Sequence, residues 1–131
     1  MNPKERDRFD ALLEEVLENL PQHLHTLLEQ VPLIVDDRPT PKMLKDLGME
    51  PDELLCGLHS GFGLTERSVE QSGEAPNDIR IFREGIVDLA GGWEQEDADD
   101  RVYDEIWITV LHEIGHEFGL SEDDLADLGY E

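Results

Sequence analysis

The chain has 131 residues, a formal net charge of −23 and a charged fraction of 33%, which together predict one soluble globular domain over residues 1–131. Because 33 acidic residues outnumber 10 basic ones, the field of the chain repels phosphate groups. Composition therefore argues against nucleic acid and anionic membranes as partners, and it favours a basic or unfolded polypeptide.

Two helices are predicted in the first thirty residues. Apolar side chains recur at helical spacing from Phe9 to Leu20, with charged residues between them. Pro21 interrupts this run and is expected to be the first residue of a shorter helix that ends near Leu28. His23 and His25 lie two residues apart on that second helix, so their side chains face different directions and do not form a chelating pair.

Three segments of the middle of the chain have the pattern of short strands. Residues 31–37 are β-branched and apolar and then acidic, residues 54–60 lead into a glycine-rich loop, and residues 79–83 alternate apolar with charged side chains. A brief helical turn is predicted at 43–47, closed by Gly48. We expect residues 78–83 to form the edge strand along which an extended peptide binds.

The last predicted helix runs over residues 102–118, with Asp99 or Asp100 as its cap and Gly119 just past its end. Its apolar residues fall on several faces, which indicates a helix buried at the centre of the fold. These residues are Tyr103, Ile106, Trp107, Val110, Leu111 and Ile114.

This helix carries the sequence His112-Glu113-Ile114-Gly115-His116. Residues four apart lie on one face of a helix, so His112 and His116 can bind the same metal ion. Imidazole nitrogens suit zinc, which leaves a coordination position open for water when three protein ligands bind it. Glu113 is placed beside the pair, where it can act as the general base for a zinc-activated water. Thr109, about one turn before His112, is a candidate supporting residue.

The third zinc ligand is predicted among the acidic residues that follow. In metzincin-type sites a glycine stands seven residues after the first histidine and the third ligand ten after it, and these positions are Gly119 and Glu122 here. That ligand is usually His or Asp, so Glu122 departs from the pattern, and Asp123 or Asp124 is the alternative. The same acidic residues also suit the first turn of a helix capped by Ser121.

The chain resembles the small bacterial metallopeptidase family with a minimal zincin-like fold. The resemblance rests on HEIGHEFGLSEDDL at 112–125, LTERSV at 64–69, PLIVDDRPT at 32–40 and IRIFR at 79–83. It implies an α+β fold in which a small mixed sheet packs against the buried motif helix and the N-terminal helices. It also implies one zinc ion and peptidase activity. Glu117 stands where a second adjacent histidine is common in the family, and no methionine follows the motif.

Two functions follow from these features. The first is a zinc-dependent metallopeptidase that cleaves peptides or proteins, with Glu113 as general base. The alternative is a zinc-binding protein-interaction module with little or no catalytic activity. The intact Glu113 favours the peptidase, because a purely structural zinc site needs no general base.

Cytoplasmic residence is expected from what the sequence contains. Cys56 is the single cysteine, so no intramolecular disulfide forms, and we expect it to be a small buried apolar residue. Residues 1–10 are charged rather than apolar, unlike a secretory signal. No apolar run approaches the roughly 18 residues that a membrane span requires.

Overall fold

The structure is a computed structural model that describes residues 1–50, 55–58 and 78–117, with only the backbone of His116 and Glu117. This part of the chain contains five helices and three strands and is therefore α+β, as predicted. In chain order the elements are α1 (Pro3–Asn19), α2 (Gln22–Gln30), β1 (Leu33–Asp36), α3 (Pro41–Asp46), β2 (Gly57–Leu58), β3 (Ile79–Phe82), α4 (Arg83–Ala90) and α5 (Ala98–Glu117).

The two N-terminal helices follow the predicted periodicity. Asn2 caps α1 by accepting a hydrogen bond from the backbone N–H of Glu5 at 2.8 Å, and the Glu5 carboxylate accepts from the Asn2 N–H in return. Pro21 precedes α2 as its N-cap residue, so the prediction that it is the first helical residue was one position early. On α2, His23 is exposed and His25 is half-buried.

The sheet has the strand order β1-β3-β2. Strand β1 runs parallel to β3 from Leu33 opposite Ile79 onward, and β2 runs antiparallel to β3 with Gly57 opposite Ile81. The sheet is thus mixed, as predicted, but the expectation that residues 78–83 form its edge was wrong. Strand β3 is central, because hydrogen-bonded neighbours flank it on both sides. Alternating side chains reveal which face of a strand is buried but not its place in the sheet.

Helix α4 was not predicted from the sequence. Its eight residues follow β3 directly, and Gly91, with φ of 105°, ends the helix in the left-handed conformation that glycine adopts readily. Ile86, Val87 and Ala90 bury its inner face. A helix this short contributes little periodic signal, and an internal glycine weakens that signal further.

Helix α5 lies at the centre of the fold, as predicted. It packs against α1, α2, α4 and the strands β2 and β3, and its inward-facing residues Val102, Ile106, Val110 and Ile114 have no exposed surface. It begins at Ala98, so Asp99 and Asp100 lie in its first turn rather than at its cap. Carboxylates in that turn still interact favourably with the helix dipole. None of the described helices is both long and apolar enough to cross a membrane.

An ion-pair network ties α1 to the ends of β1 and β3. Arg83, only 13% exposed, donates hydrogen bonds to Asp10 at 2.9 Å and to Asp37 at 3.0 Å. Arg6 donates to the same Asp37 carboxylate at 2.8 Å. These contacts join segments more than thirty residues apart in sequence. They connect α1 both to Asp37, which follows β1, and to Arg83, the first residue of α4.

Candidate metal and catalytic site

The motif residues lie near the end of α5 and face different environments. His112 is exposed, whereas the next residue, Glu113, is only 7% exposed. Successive residues of a helix point about 100° apart, so one can face outward while its neighbour faces the sheet. The backbone of α5 remains helical through Glu117, which places residue 116 one turn after residue 112 along the helix.

The Glu113 side chain lies very close to the backbone of strand β2. A Cβ atom built on Gly57 would lie 2.9 Å from Cγ of Glu113 and 3.1 Å from Cγ2 of Thr109. A real Cβ atom essentially never comes within 3.0 Å of a heavy atom from a residue that is not its neighbour in the chain. The strand backbone therefore lies directly on the two side chains, and Thr109, like Glu113, is 7% exposed.

The segment before β2 is held in place from two further directions. The backbone N–H of Phe82 donates to the carbonyl of Cys56 at 2.8 Å, which extends the pairing with β3. A Cβ atom at Gly85 of α4 would lie 2.7 Å from the carbonyl carbon of Leu55. Residues 55–58 are therefore confined between β3, α4 and α5.

The predicted zinc ligands are only partly within the described residues. Glu122, Asp123 and Asp124 lie outside them, as do Gly119 and the side chain of His116. The choice of third ligand therefore stays a prediction. Within residues 1–50, 55–58 and 78–117, no group of three His, Cys, Asp or Glu residues can hold a metal ion.

The donor set nevertheless fits zinc. His112 and His116 stand on one face of a regular helix, and imidazole nitrogen is a preferred zinc donor. His112 is exposed, so this part of the helix surface is accessible to solvent. Thr109 lies one turn from Glu113, and both side chains pack against Gly57. If Thr109 supports the site, it therefore does so beside the predicted base, Glu113.

Cys56 adjoins this site without the properties of a reactive thiol. It is half-buried rather than fully buried and packs against the hydrophobic core. Burial raises the pKa of its thiol, and the nearby carboxylates of Glu105, Asp88 and Glu113 raise it further. The thiol is consequently held in its protonated, weakly nucleophilic form, in line with a packing role.

A sequence model described as zincin-like metallopeptidase matches residues 28–130. The chain belongs to the zincin-like metallopeptidase family. The match spans the three described strands, α5 and the acidic residues after the motif, and it leaves α1 and most of α2 before it. Among curated proteins, the chain has no match.

Within this zincin-like protein, Gly57 is a residue that sequence reasoning overlooked. The segment 54–60 was predicted as a strand, and a glycine inside a strand often marks a place where another part of the chain approaches closely. That signal was present in the sequence. It could not reveal that the approaching group is Glu113, because the contact joins residues that are 56 positions apart.

Proposed function

We propose that this zincin-like protein hydrolyses peptide bonds as a zinc-dependent metallopeptidase. The observation that carries the proposal is the arrangement around His112 and Glu113 on α5. A solvent-exposed imidazole stands next to a carboxylate that is buried against β2. The family match includes both residues.

In this proposal His112, His116 and Glu122 hold one zinc ion, and Asp123 is the alternative third ligand. When bound, zinc supplies Lewis-acid chemistry that makes water acidic enough to serve as a nucleophile at neutral pH. The two histidines suit this role because a catalytic site with three protein ligands keeps one position free.

Glu113 is proposed as the general base. Its carboxylate accepts a proton from the attacking water and returns that proton to the amine that leaves when the peptide bond breaks. A buried side chain is held in fewer conformations than an exposed one, so the carboxylate meets the water with little reorganisation. The close approach of β2 restricts the space that the Glu113 side chain can occupy.

The substrate is proposed to be a peptide or an unfolded protein segment. With a net charge of −23, the chain attracts cationic polypeptides and repels polyanions, and this field raises the local concentration of basic segments. We therefore expect peptides that contain Lys or Arg to be cleaved faster than acidic peptides of equal length, with a difference that shrinks as salt is added.

A peptide-library cleavage assay of the zinc-loaded protein tests the proposal. We expect the native chain to cut peptides and Glu113→Gln to lose activity by about 10²-fold or more, as removal of a general base does. Glu105→Gln is the matched control, since it removes a half-buried carboxylate two turns earlier on the same helix. It should retain most of the activity.

The alternative function has a distinct signature in the same experiment. A native chain that binds one zinc ion but cuts no peptide would overturn the peptidase and favour a zinc-binding interaction module. Equal cleavage by the native protein and Glu113→Gln would refute the assigned base.

A further inference from the structure

We propose that Gly57 is a positioning residue that sets the conformation of Glu113. The inference rests on the proposed function and adds to it a residue outside the motif at 112–116. The lack of a side chain at Gly57 lets the backbone of β2 approach α5 closely. The Glu113 side chain then packs directly against that backbone.

Glycine at this position is required for space and not for backbone conformation. The described glycines with positive φ are Gly48, Gly91 and Gly92, so Gly57 has a backbone that other residues adopt. What excludes a larger residue is contact on three sides. A Cβ atom would meet Glu113 at 2.9 Å, Thr109 at 3.1 Å and the backbone carbonyl of Arg80 at 3.2 Å.

The backbone of residues 55–58 cannot move away from α5 easily. Gly57 lies opposite Ile81 in the sheet, Cys56 accepts a hydrogen bond from Phe82, and Leu55 is pressed against Gly85 of α4. Moving β2 away from α5 would disturb these contacts together. The Glu113 side chain is a flexible chain of single bonds, so it is the part that yields when a methyl group is added at Gly57.

A methyl group at Gly57 should affect Glu113 and not the histidines. His112 lies on the exposed side of α5, away from this contact. A methyl group at Gly57 should therefore move the Glu113 carboxylate and leave the histidines able to bind zinc. Misplacement of a catalytic group by about 1 Å is enough to cost roughly 10²-fold in rate.

The test is the Gly57→Ala variant, compared with Gly85→Ala. The control adds the same methyl group from α4 against residues 55 and 56 of the same confined segment. The three atoms nearest to a Cβ at Gly85 belong to the backbones of Leu55 and Cys56, and none belongs to Glu113. Crystal structures, zinc content, thermal stability and steady-state kinetics are measured for both variants and for the native protein.

We expect the Gly57→Ala structure to show Glu113 in a changed side-chain conformation that restores an ordinary contact of at least 3.4 Å, with α5 in place. Zinc content should equal that of the native protein. The kcat should fall by about 10-fold to 10²-fold while KM changes little, because the methyl group acts on the transition state through the base. Gly85→Ala should lose stability with a much smaller loss of kcat.

A second substitution at Thr109 should partly reverse the effect of Gly57→Ala. Thr109→Ser removes the methyl group that a Cβ at Gly57 would meet at 3.1 Å, so the double variant Gly57→Ala/Thr109→Ser should fold better and recover part of the lost kcat. It also supplies a structure if Gly57→Ala alone does not fold. Failure of both to fold would overturn the proposal, because Gly57 would then serve the fold as a whole.

Two other results would overturn it. One is a Gly57→Ala structure in which β2 moves and Glu113 keeps its native conformation. The other is a kcat that falls equally in Gly57→Ala and Gly85→Ala. If the native protein itself cuts no peptide, the proposed function fails, and the crystal structures still decide whether Gly57 sets the Glu113 conformation.

Discussion

Arg83 donates a hydrogen bond to the Asp37 carboxylate at 3.0 Å, and this contact links the start of α4 to the residue that follows β1. Asp37 also accepts two hydrogen bonds from Arg6 of α1, at 2.8 and 3.1 Å. The hydrogen bond from Arg6, and after it that from Arg83, hold the pKa of Asp37 below its usual value, against the opposing effect of burial. One carboxylate thus connects three parts of the fold.

Replacement of Asp37 by Asn should make the protein less stable at neutral pH by about 1–2 kcal/mol, because hydrogen bonds to a charged carboxylate are lost. A lowered pKa in the folded state stabilises the fold at pH values above the unfolded pKa of about 3.9 and ceases to do so as the pH falls through the folded value. The difference in unfolding free energy between native and variant should therefore be constant above pH 5 and shrink below pH 4.

Urea unfolding at a series of pH values measures that difference. Both proteins share the remaining charges, so the effect of pH on general self-repulsion largely cancels in the comparison. Asp97→Asn is the control, since Asp97 pairs with Arg101 on the exposed surface and such pairs contribute little. A difference that persists unchanged to low pH would show that the Asp37 charge is not responsible.

Removal of His112 should abolish tight zinc binding, because a site left with two protein ligands holds the ion far more weakly. His112→Ala is compared with His23→Ala, which removes an exposed histidine from α2. Elemental analysis after dialysis should find about one zinc per native or His23→Ala chain and a small fraction of that in His112→Ala. Equal zinc content in all three proteins would place the site elsewhere.

Truncation of a side chain in α5 should have a much larger effect on the buried face than on the exposed face. Ile106 has no exposed surface, so Ile106→Ala should lower the unfolding free energy by about 2–5 kcal/mol through lost burial and a cavity. Ile108 is 56% exposed, and Ile108→Ala should change it by no more than about 0.5 kcal/mol. Denaturant unfolding of the two variants checks this, and similar losses would contradict the orientation of α5.

The thiol of Cys56 should react slowly with iodoacetamide near pH 8 in the folded protein and much faster in urea. Burial is the main cause that raises its pKa, and Glu105 is the next. Glu105→Gln should therefore speed the reaction without unfolding the chain, because a smaller negative field favours the thiolate. A rate in the native protein equal to that in urea would contradict the burial of this residue.

The sequence alone determined the elements whose signal is local. Periodicity predicted the presence of α1, α2 and α5, although α1 and α5 begin several residues earlier than their predicted apolar runs. A β-branched apolar run predicted β1 and alternation predicted β3, because side-chain spacing along one element repeats its own geometry. The spacing of His112 and His116 likewise depends only on the pitch of one helix. The candidate metal-binding face was therefore predictable before any fold was known.

Only the tertiary structure decided how the elements meet. The sequence suggested that β3 forms an edge, and the sheet places it at the centre between β1 and β2. Helix α4 was missed because eight residues give too weak a pattern. The contact between Gly57 and Glu113 joins positions far apart in the chain, and its closeness depends on the packing of residues 55–58 between β3, α4 and α5. Such long-range contacts follow from burying several faces at once, which no single segment of sequence encodes.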